Sequence, residues 1–483
     1  MGTASATTVE SLRERHGSRY KWLVLLTVMV GMMGSILSST IVNVAVPDLS
    51  RHFHLGHERA QWVAAAFMMA MMLSLLTTPW LLARYGLRRT FIGANVLLAA
   101  GGIAAGLAWD FNLLIALRVV EGLASGVLQV LPNILIMRAF ESYQQGRATG
   151  IFGFGVVFAP ALGPSLGGIL IEYFGWRSIF FSVVPFCFVA ILLARRYLPE
   201  VSALVEGRKP FDWLGMLWVG ASAVGLLNGL VELQDAKTLY PAGIVVLSGL
   251  GLASFVFYQL RASHPLLNVR LFAHRQVAVG AAVAFAHGFG IFGSTYLVPV
   301  FLQTALAYTP SQAGMALLPA GLALALVMPL GGRMADRHRP GPLVTVGLVL
   351  LALSLVLTGA SEKGTAYLLV LWWILVGRVG IGIMAPALTL GTLRGLPQQD
   401  ISQAASMTAF TRQFGGAAGI SIVGSVLQWR LLVNGGGVEP PEASPAYIHA
   451  FEEGFWFLAA FSFFAAVGGW FLRPTHRPSA TPG

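Results

Sequence analysis

The chain has 483 residues, of which 56% are hydrophobic and only 11% are charged, and its mean hydropathy is +0.73. Soluble domains carry about 25% charged residues, so this composition excludes an ordinary globular protein and indicates a chain that crosses a membrane many times. The net charge is +11, and the single cysteine, Cys187, excludes internal disulfides and cysteine-rich metal sites.

Fourteen apolar runs are long enough to cross a bilayer, whose hydrocarbon core needs roughly 20 residues per helix. The first run is too long for the core of a signal peptide, so we expect it to remain as a membrane helix. An even number of spans places both termini on the same side of the membrane. In chain order the predicted spans are 22–47, 60–82, 90–109, 112–137, 146–171, 177–198, 212–231, 240–260, 277–303, 311–332, 341–360, 365–391, 401–428 and 451–472.

The distribution of lysines and arginines indicates on which side of the membrane the two termini lie. Twenty-two of the 31 lie on one side of the predicted spans, six lie on the other, and Arg118, Arg378 and Arg412 lie inside spans. The positive-inside rule assigns the basic side to the cytoplasm. We therefore predict a multi-pass protein of the bacterial cytoplasmic (inner) membrane, with both termini cytoplasmic and lipids as its surroundings. The positive charge then needs no nucleic-acid partner.

Three pairs of segments, each eight spans apart, read alike. LRVVEGLASG resembles GRVGIGIMAP, PWLLARYGLRR resembles GGRMADRHRPG, and QQGRATGIFGFG is more weakly similar to TRQFGGAAG. Duplicated bundles with a substrate site between them are a transporter design, although membrane proteins duplicate for other reasons too. The repeat predicts a cytoplasmic segment over 1–21, a six-helix bundle over 22–198, a linker with two extra helices over 199–276, a second six-helix bundle over 277–472, and a cytoplasmic tail over 473–483.

These motifs resemble those of the major facilitator superfamily, in its fourteen-helix drug:proton antiporter branch (EmrB/QacA-type). The loop PWLLARYGLRR is similar to the family motif G-x-L-A-D-R-x-G-R-R, and Arg118 and Gly122 match the R-x-x-x-G motif of the fourth helix. STIVNVAVP, FDWLG, HPLLNVRLF and RQFGGAAG fit the same branch. The resemblance implies an all-α polytopic membrane protein with the major facilitator fold, in which 14 transmembrane helices form two six-helix bundles plus two inserted helices.

The fifth span carries the most specific of these motifs, the antiporter motif. Its matching residues are Gly150, Ala159, Gly163, Pro164, Gly167 and Gly168. Positions 159, 163 and 167 share a helix face, and close packing through small residues is what holds membrane helices together. Prolines at 160 and 164 predict a bent helix. The resemblance implies that this helix seals the cytoplasmic side during export, whereas close packing with no role in direction is the simpler alternative.

A second motif lies in the cytoplasmic loops, and its candidate residues are Arg84, Gly86, Arg88, Arg89, Asp336 and Arg337. In the family an aspartate of this loop latches the two halves. Ala83 occupies that position in the first half, whereas the second half keeps the acid as Asp336. We expect either a one-sided latch or a rearranged charge network, and positive-inside anchoring alone also explains Arg88 and Arg89.

Ionisable residues inside a span are costly and are therefore functional candidates. Arg118 and Glu121 are three residues apart and share a helix face, so Glu121 can exchange a proton for an ion pair with Arg118. The family more often has glutamine at position 121, and its first-helix motif has aspartate where this chain has Ser38. Glu121 is therefore the leading proton-coupling candidate and His287, a residue type that titrates near neutral pH, is the second. A static ion pair and a structural histidine are the alternatives.

Carboxylates are scarce in the predicted core, where Glu121 is the only clear one, whereas three arginines and a histidine lie in spans. This balance favours a neutral, zwitterionic or anionic amphiphile over a cation as the substrate. We expect no cofactor beyond the proton gradient and no metal. The Gly/Pro-rich outer loop near 430–449 is the expected contact for a periplasmic adaptor protein. The candidate residues of the substrate cavity are Ser38, Asn43, Gln61, Asn133 and Arg378.

These features predict a secondary active transporter, not an enzyme, that exports hydrophobic or amphiphilic compounds in exchange for protons by alternating access. Such multidrug-type efflux confers antibiotic resistance. Two alternatives stay open: a proton-coupled exporter of one specific lipid-like or anionic metabolite, and an uptake symporter on the same fold. A membrane enzyme or sensor is the least favoured, because the sequence has neither an H-E-x-x-H zinc motif nor a Walker A motif for ATP.

Overall fold

A computed structural model of the protein describes residues 9–200, 210–232, 240–435 and 444–472. Within these ranges the chain forms eighteen α-helices and no β-strand. The helices are α1 (Val9–His16), α2 (Tyr20–His52), α3 (His57–Ala60), α4 (Trp62–Ser74), α5 (Thr78–Tyr85), α6 (Leu87–Gly106), α7 (Phe111–Ala139), α8 (Gln145–Phe174), α9 (Ser178–Phe181), α10 (Val184–Tyr197), α11 (Trp213–Glu232), α12 (Tyr240–Arg261), α13 (Arg275–Val300), α14 (Pro310–Arg337), α15 (Pro340–Gly359), α16 (Tyr367–Leu393), α17 (Gln398–Asn434) and α18 (Pro445–Trp470).

The predicted spans and the observed helices agree closely. Thirteen helical segments of the described chain are long and apolar enough to cross a membrane, and α8 lies where the fifth span is predicted. Some spans combine shorter helices: α4 and α5 are joined by a 3-10 turn, Leu75–Thr77, into the second span. Backbone polar groups must be bonded within each segment in lipid, which leaves the α-helix as the solution for apolar runs of this length. The predicted fold class, an all-α polytopic membrane protein, is confirmed.

Local sequence signals set several helix ends. Asp110 caps α7, and its carboxylate accepts hydrogen bonds from the backbone N–H groups of Asn112 and Leu113 at 2.8 and 3.2 Å. Thr309 and Gln312 form a reciprocal capping box at the start of α14. Gly86 has φ of 76° between α5 and α6, a backbone conformation that glycine adopts without strain.

Contacts divide the chain into two compact units. Unit 1 contains Met1–Glu141, Gly155–Phe211 and Gln398–Ser406, apart from the gaps named above. Unit 2 contains Ser142–Phe154, Asp212–Pro397 and Met407–Gly483, again apart from the gaps. The long helices α8 and α17 therefore contribute residues to both units. The extra pair α11 and α12 belongs to unit 2, and the domain boundaries that the sequence repeat predicts stay predictions.

In unit 1, α7 packs closely against α4 through glycines. A Cβ on Gly122 would overlap the carbonyl oxygen of Phe67, and a Cβ on Gly126 would overlap that of Met71. Only glycine permits so close an approach of two backbones, as is usual in membrane bundles. The approach brings Arg118, one turn before Gly122 on α7, within reach of α4. The R-x-x-x-G motif thus positions its arginine through its glycine.

In unit 2, α15 and α16 approach each other in the same way, because Gly347 and Gly380 each face the other's carbonyl oxygen. The inserted pair α11 and α12 is joined by Asp212 of the FDWLG stretch. The Asp212 carboxylate accepts hydrogen bonds from the Gly215 backbone N–H, the Tyr258 hydroxyl and the Gln259 amide at 2.8, 3.0 and 2.8 Å. This stretch therefore has a structural role, capping α11 and fastening it to α12.

Candidate functional site

The strongest candidate site is a buried cluster in unit 1 around Arg118 of α7. The Arg118 side chain is 1% exposed. Its Nε donates to the Val63 carbonyl oxygen at 3.1 Å, and its Nη2 donates to the Ser38 carbonyl oxygen at 3.1 Å. Its Nη1 donates to the Ser38 hydroxyl at 2.9 Å and to Glu121 Oε2 at 2.7 Å. Three of these four hydrogen bonds join α7 to α2 and α4, and the fourth pairs Arg118 with Glu121 of its own helix.

Glu121 is fully buried beside this arginine, on the face of α7 that meets α6. Glycines on α6 leave room for its carboxyl group: a Cβ on Gly101 would lie 2.8 Å from Glu121 Cγ, and a Cβ on Gly102 would lie 3.2 Å from Oε1. Whereas Oε2 accepts the Arg118 hydrogen bond, Oε1 has no hydrogen-bond partner within the described part of the chain. Oε1 is thus buried between α6 and α7 and does not share the bond to Arg118.

The ring of Phe67 closes this cluster from another side, with the Arg118 guanidinium carbon 4.2 Å from its centroid. A cation over an aromatic face gains a further electrostatic attraction, and that attraction grows when water is excluded. Arg118 would therefore keep several partners if Glu121 lost its charge. The sequence predicts the pairing of Arg118 with Glu121, and the structure places the two side chains in direct contact at 2.7 Å.

His287, the second proton candidate, lies in unit 2 on α13 and belongs to a different cluster. It is 4% exposed, and neither of its ring nitrogens has a hydrogen-bond partner among the residues described. Arg412 of α17 acts on it electrostatically. His287 belongs to unit 2, whereas Glu121 belongs to unit 1.

The residues predicted for the substrate cavity lie in several places. Ser38 is buried and bonded to Arg118, so it is part of the ion-pair cluster. Asn43 and Gln61 are exposed in unit 1, and Asn133 of α7 is half-buried. Arg378 lies in unit 2, half-buried, and its Nη2 donates to Thr295 Oγ1 at 3.4 Å. Of these five residues, only Ser38 is brought together with the proton-coupling pair.

The second-half loop motif forms a helix cap at the start of α8. Asp336 Oδ1 accepts a hydrogen bond from the Gly146 N–H at 2.7 Å, and Oδ2 accepts one from the Arg147 N–H at 2.8 Å. Arg394 donates to Asp336 Oδ1 at 3.1 Å and to the Ser142 carbonyl oxygen at 2.7 Å. A carboxylate at a helix N-terminus satisfies open N–H groups and complements the helix dipole. All of these residues belong to unit 2, and Arg337 beside them is exposed.

Arg394 belongs to this cap and could not be singled out from the sequence. It follows α16 directly and was only one of many positive charges on the cytoplasmic side. Burial lowers the pKa of its guanidinium from the ordinary value, and the charge of Asp336 opposes that shift. No local pattern marks this residue, because its partners lie 58 and 252 positions away along the chain.

The first-half copy of the loop motif has Ala83 at the position where the second-half copy has Asp336. The Arg84 guanidinium carbon lies 5.2 Å from the centroid of the Trp80 ring. Arg88 Nη2 donates to the Arg195 carbonyl oxygen at 2.7 Å. Arg88 and Arg89 each come within 3.9 Å of the Glu200 carboxylate. The copy with Ala83 thus holds a looser, more exposed charge network, while Gly86 supplies the turn.

Residues of the antiporter motif contact two different helices. Gly163 and Gly167 face α2, where added Cβ atoms would lie 2.5 Å from Thr40 Oγ1 and 2.8 Å from Ile41 Cγ1. Gly150 faces α14 in unit 2, where an added Cβ would overlap the Met328 carbonyl oxygen. Gly168 has open space beside it. The side chains of Ala159 and Pro164 lie outside the described residues, and α8 runs as one helix through both positions.

Searching the described residues for three or more clustered metal-ligating side chains of His, Cys, Asp or Glu finds no such group. The outer loop that the sequence analysis associates with an adaptor protein falls partly on 436–443, outside the described residues.

The sequence of this chain is similar to those of known proteins. The family model described as Major Facilitator Superfamily matches residues 28–420. Multidrug resistance protein Stp of Mycobacterium tuberculosis is 30% identical over 413 residues, which cover 85% of this chain and 76% of that protein. The tetracenomycin C resistance and export protein of Streptomyces glaucescens is 27% identical over 417 residues, with the same two coverages of 85% and 76%.

A solved structure has the same fold. The proton:xylose symporter XylE, bound to 6-bromo-6-deoxy-D-glucose, superposes with a TM-score of 0.67 at 13% identity, covering 93% of this chain and 95% of that one. At this identity the similarity establishes the architecture alone. The many apolar helices and the family match together establish a multi-pass membrane protein.

Proposed function

Because this chain belongs to the Major Facilitator Superfamily and is one of its transporters, we propose that it exports hydrophobic or amphiphilic compounds in exchange for protons by alternating access. Its place would be the bacterial cytoplasmic membrane, with both termini in the cytoplasm, in keeping with the excess of Lys and Arg on that side. The resistance and export functions named for its relatives support the export direction.

The observation that carries the proposal is the buried pair of Arg118 and Glu121. Glu121 is 0% exposed, so it can exchange a proton with water only when the helices around it rearrange. Protonation would remove the charge of Glu121, after which Arg118 would keep Ser38, the Val63 carbonyl oxygen and the Phe67 ring. The pair therefore couples a change of charge to a change in the contacts among α2, α4 and α7.

The size of such a coupling is adequate for transport. Removing one partner of a buried ion pair costs roughly 3–5 kcal/mol. A bias of that order shifts an equilibrium between two conformations by about a hundredfold or more. A proton taken up on one side and released on the other can thus bias which conformation is populated. The helix cap formed by Asp336 and Arg394 is a second contact that we propose is made and broken in the cycle.

A decisive experiment removes the titratable group without changing its shape. Glu121→Gln should abolish transport driven by a pH gradient in proteoliposomes, measured with ethidium, Nile red and 8-anilinonaphthalene-1-sulfonate as cationic, neutral and anionic probes. Glu453→Gln is the matched control, because Glu453 also pairs with an arginine, Arg430, but is partly exposed. The control should transport normally. Gradient-driven transport that is undiminished in a monodisperse Glu121→Gln protein would remove Glu121 from the coupling role.

A second candidate function is the export of one specific compound instead of many. The Streptomyces glaucescens relative is named for the export of a single compound, whereas Stp is named for multidrug resistance. A screen of compounds against an efflux-deficient bacterial host that expresses this chain separates the two: resistance to a broad set supports the multidrug proposal, and resistance to one chemical class supports the specific exporter. Accumulation of a probe inside the cells instead of loss would indicate the uptake symporter.

A further inference from the structure

A groove runs between α15 and α18, two membrane-spanning helices of unit 2. The two helices are in close contact on either side of it along their length. On one side a Cβ on Gly359 would lie 2.8 Å from Phe455 Cβ, and on the other the Thr345 hydroxyl donates to the Ala466 carbonyl oxygen at 2.9 Å. The groove between these contacts has a volume of about 520 Å³, within the range of about 300–1,000 Å³ that is usual for sites holding one small ligand.

The groove has a floor of small side chains and a wall of branched ones. Ala352 of α15 and Ala459 of α18 form the floor and are only 6% and 4% exposed. Val349, Leu353 and Val356 form the wall on α15, where their spacing of four and three residues places them on one helix face. These three side chains are 39–47% exposed. An extended chain lying in the groove would therefore contact protein below it and on both sides.

The opposite wall, on α18, is aromatic and leads up to a polar helix end. Trp456, Phe463 and Phe464 form this wall. Glu452 lies one turn before Trp456 on the same helix face and contacts His449 at 3.0 Å. A charged side chain at that level belongs among lipid headgroups, and tryptophan is typical of the boundary between headgroups and acyl chains. The groove therefore begins near the membrane surface and runs into the hydrocarbon.

The length of the groove matches one leaflet of a bilayer. From Trp456 to Phe464, α18 rises by about 12 Å. A hydrocarbon core about 30 Å thick gives each leaflet about 15 Å. An acyl chain whose headgroup lies at the level of Glu452 would thus follow the groove for most of its length.

The chemistry of the lining favours hydrocarbon over a drug-like molecule. Among the described residues that line the groove, none is charged, and the indole N–H of Trp456 is the only side-chain hydrogen-bonding group. Sites for small molecules place a few polar groups to fix the orientation of the ligand, whereas an acyl chain needs none. Dispersion contacts are individually small and collectively large. A chain held on three sides is therefore bound more firmly than one lying against a single helix face.

We propose that the groove between α15 and α18 is a binding site for one acyl chain of a membrane phospholipid, whose headgroup lies at the level of His449 and Glu452. This inference goes beyond the proposed export function and does not depend on it, because it needs only the two membrane-spanning helices. In the orientation proposed above, the bound phospholipid belongs to the outer leaflet.

Native mass spectrometry of the full chain in detergent tests the site. The protein is titrated with dioleoylphosphatidylcholine, with lysophosphatidylcholine, which has one acyl chain, and with glycerophosphocholine, which has none. Both lipids should bind, the first molecule more tightly than later ones, and glycerophosphocholine should not. Ala460→Phe places a ring in the groove from an exposed lining position and should weaken binding of the first lipid about tenfold. Ala253→Phe, at an exposed position of α12, is the matched control and should bind as the unmodified chain does.

Fluorescence quenching locates the bound chain. Phosphatidylcholine with brominated acyl chains quenches nearby tryptophans, and the signal of Trp456 is the difference between the unmodified chain and its Trp456→Phe variant. Bromines near the carboxyl end of the acyl chain should quench this signal more than bromines near the methyl end, because Trp456 lies at the headgroup end of the groove. Ala460→Phe should relieve the quenching, and Ala253→Phe should not.

Four results would overturn the assignment. The first is an unchanged affinity for lipid in a monodisperse Ala460→Phe protein, and the second is binding of glycerophosphocholine as tight as that of lysophosphatidylcholine, which would indicate a headgroup site. The third is binding of Nile red that Ala460→Phe removes while lipid binding persists, which would assign the groove to an exported compound. The fourth is a dimer that Ala460→Phe dissociates, which would assign it to a second copy of the chain. Glu121→Gln should bind lipid normally, so a failure of the proposed proton coupling leaves this test unaffected.

Discussion

The two fourth-helix copies of the repeat, on α7 and α16, place an arginine at matching positions with opposite outcomes. Arg118 is 1% exposed and makes four hydrogen bonds, one of them to an acid. Arg378 is half-buried and makes one hydrogen bond of 3.4 Å to a hydroxyl. The residue three positions on, Glu121 in the first copy and Ile381 in the second, accounts for one of these bonds. The other three come from Ser38 and Val63 on α2 and α4. The first copy neutralises its charge with an acid of its own helix, whereas the guanidinium of the second copy forms no ion pair within the described ranges.

The two loop copies differ in the opposite sense. The first-half loop has Ala83 and a loose set of arginines near Glu200, whereas the second-half loop has Asp336, which caps α8 and pairs with Arg394. The first half therefore has the acid of the fourth-helix motif, Glu121, and lacks the acid of the loop motif. The second half has the acid of the loop motif, Asp336, and lacks the acid of the fourth-helix motif. The acid inside the span, Glu121, pairs with an arginine of its own helix, whereas the acid in the loop, Asp336, caps a helix far away in the sequence.

The largest expected effect tests the fourth-helix comparison directly. Arg118→Gln leaves Glu121 buried without its partner and should lower the free energy of unfolding by roughly 3–5 kcal/mol. Arg378→Gln removes a guanidinium that no acid neutralises and should change it by less than about 1 kcal/mol. Chemical denaturation in detergent, followed by circular dichroism, measures both variants. Similar losses in the two proteins would mean that the two arginines are equivalent, and the comparison would fail.

A smaller effect should come from Ser38→Ala, which removes the hydroxyl that accepts from Arg118 Nη1. Hydrogen bonds to charged groups contribute about 1.5–3 kcal/mol, and the carbonyl oxygen of the same residue keeps its bond to Nη2. Ser39→Ala is the control, because the Ser39 hydroxyl donates only within its own helix, to the Ile36 carbonyl oxygen. Unfolding of the two variants under identical conditions should separate them. A Ser38→Ala protein as stable as Ser39→Ala would show that the hydroxyl does not hold the arginine.

The smallest effect concerns the loops. Asp336→Asn removes the charge at the start of α8 and should lower the free energy of unfolding by about 1 kcal/mol, the contribution of a charge that complements a helix dipole. Ala83→Asp places an acid among the exposed arginines of the first-half loop and should change it by at most about 0.5 kcal/mol. The measurement is the same denaturation series at low salt. An Ala83→Asp effect as large as that of Asp336→Asn would indicate that the two loops have equivalent surroundings.

The spans could be predicted almost completely. The predicted run 112–137 is Phe111–Ala139 in the structure, and 240–260 is Tyr240–Arg261. An apolar run of about 20 residues is a sufficient signal, because lipid requires a helix there and polar loops mark its ends. The contact of Arg118 with Glu121 was predictable for a similar reason: residues three apart on a helix lie on one face, whatever surrounds them.

The remaining partners could not be predicted in this way. Ser38 is 80 positions from Arg118 and Val63 is 55 positions away, and no periodicity connects residues on different helices. The room for the Glu121 carboxyl group depends on Gly101 and Gly102, which belong to another helix, α6. Arg394 was indistinguishable from other cytoplasmic arginines until Asp336 was found next to it.

The sequence by itself determined the number and order of the helices, the family, and which spans carry ionisable side chains, since hydropathy and local spacing are properties of short segments. Only the tertiary structure decided which charges are neutralised. The cost of a buried charge depends on every group around it, and those groups come from helices far apart in the chain. That is why Arg118 is paired within unit 1, whereas Arg378 and Arg412 of unit 2 have no carboxylate partner in the described chain.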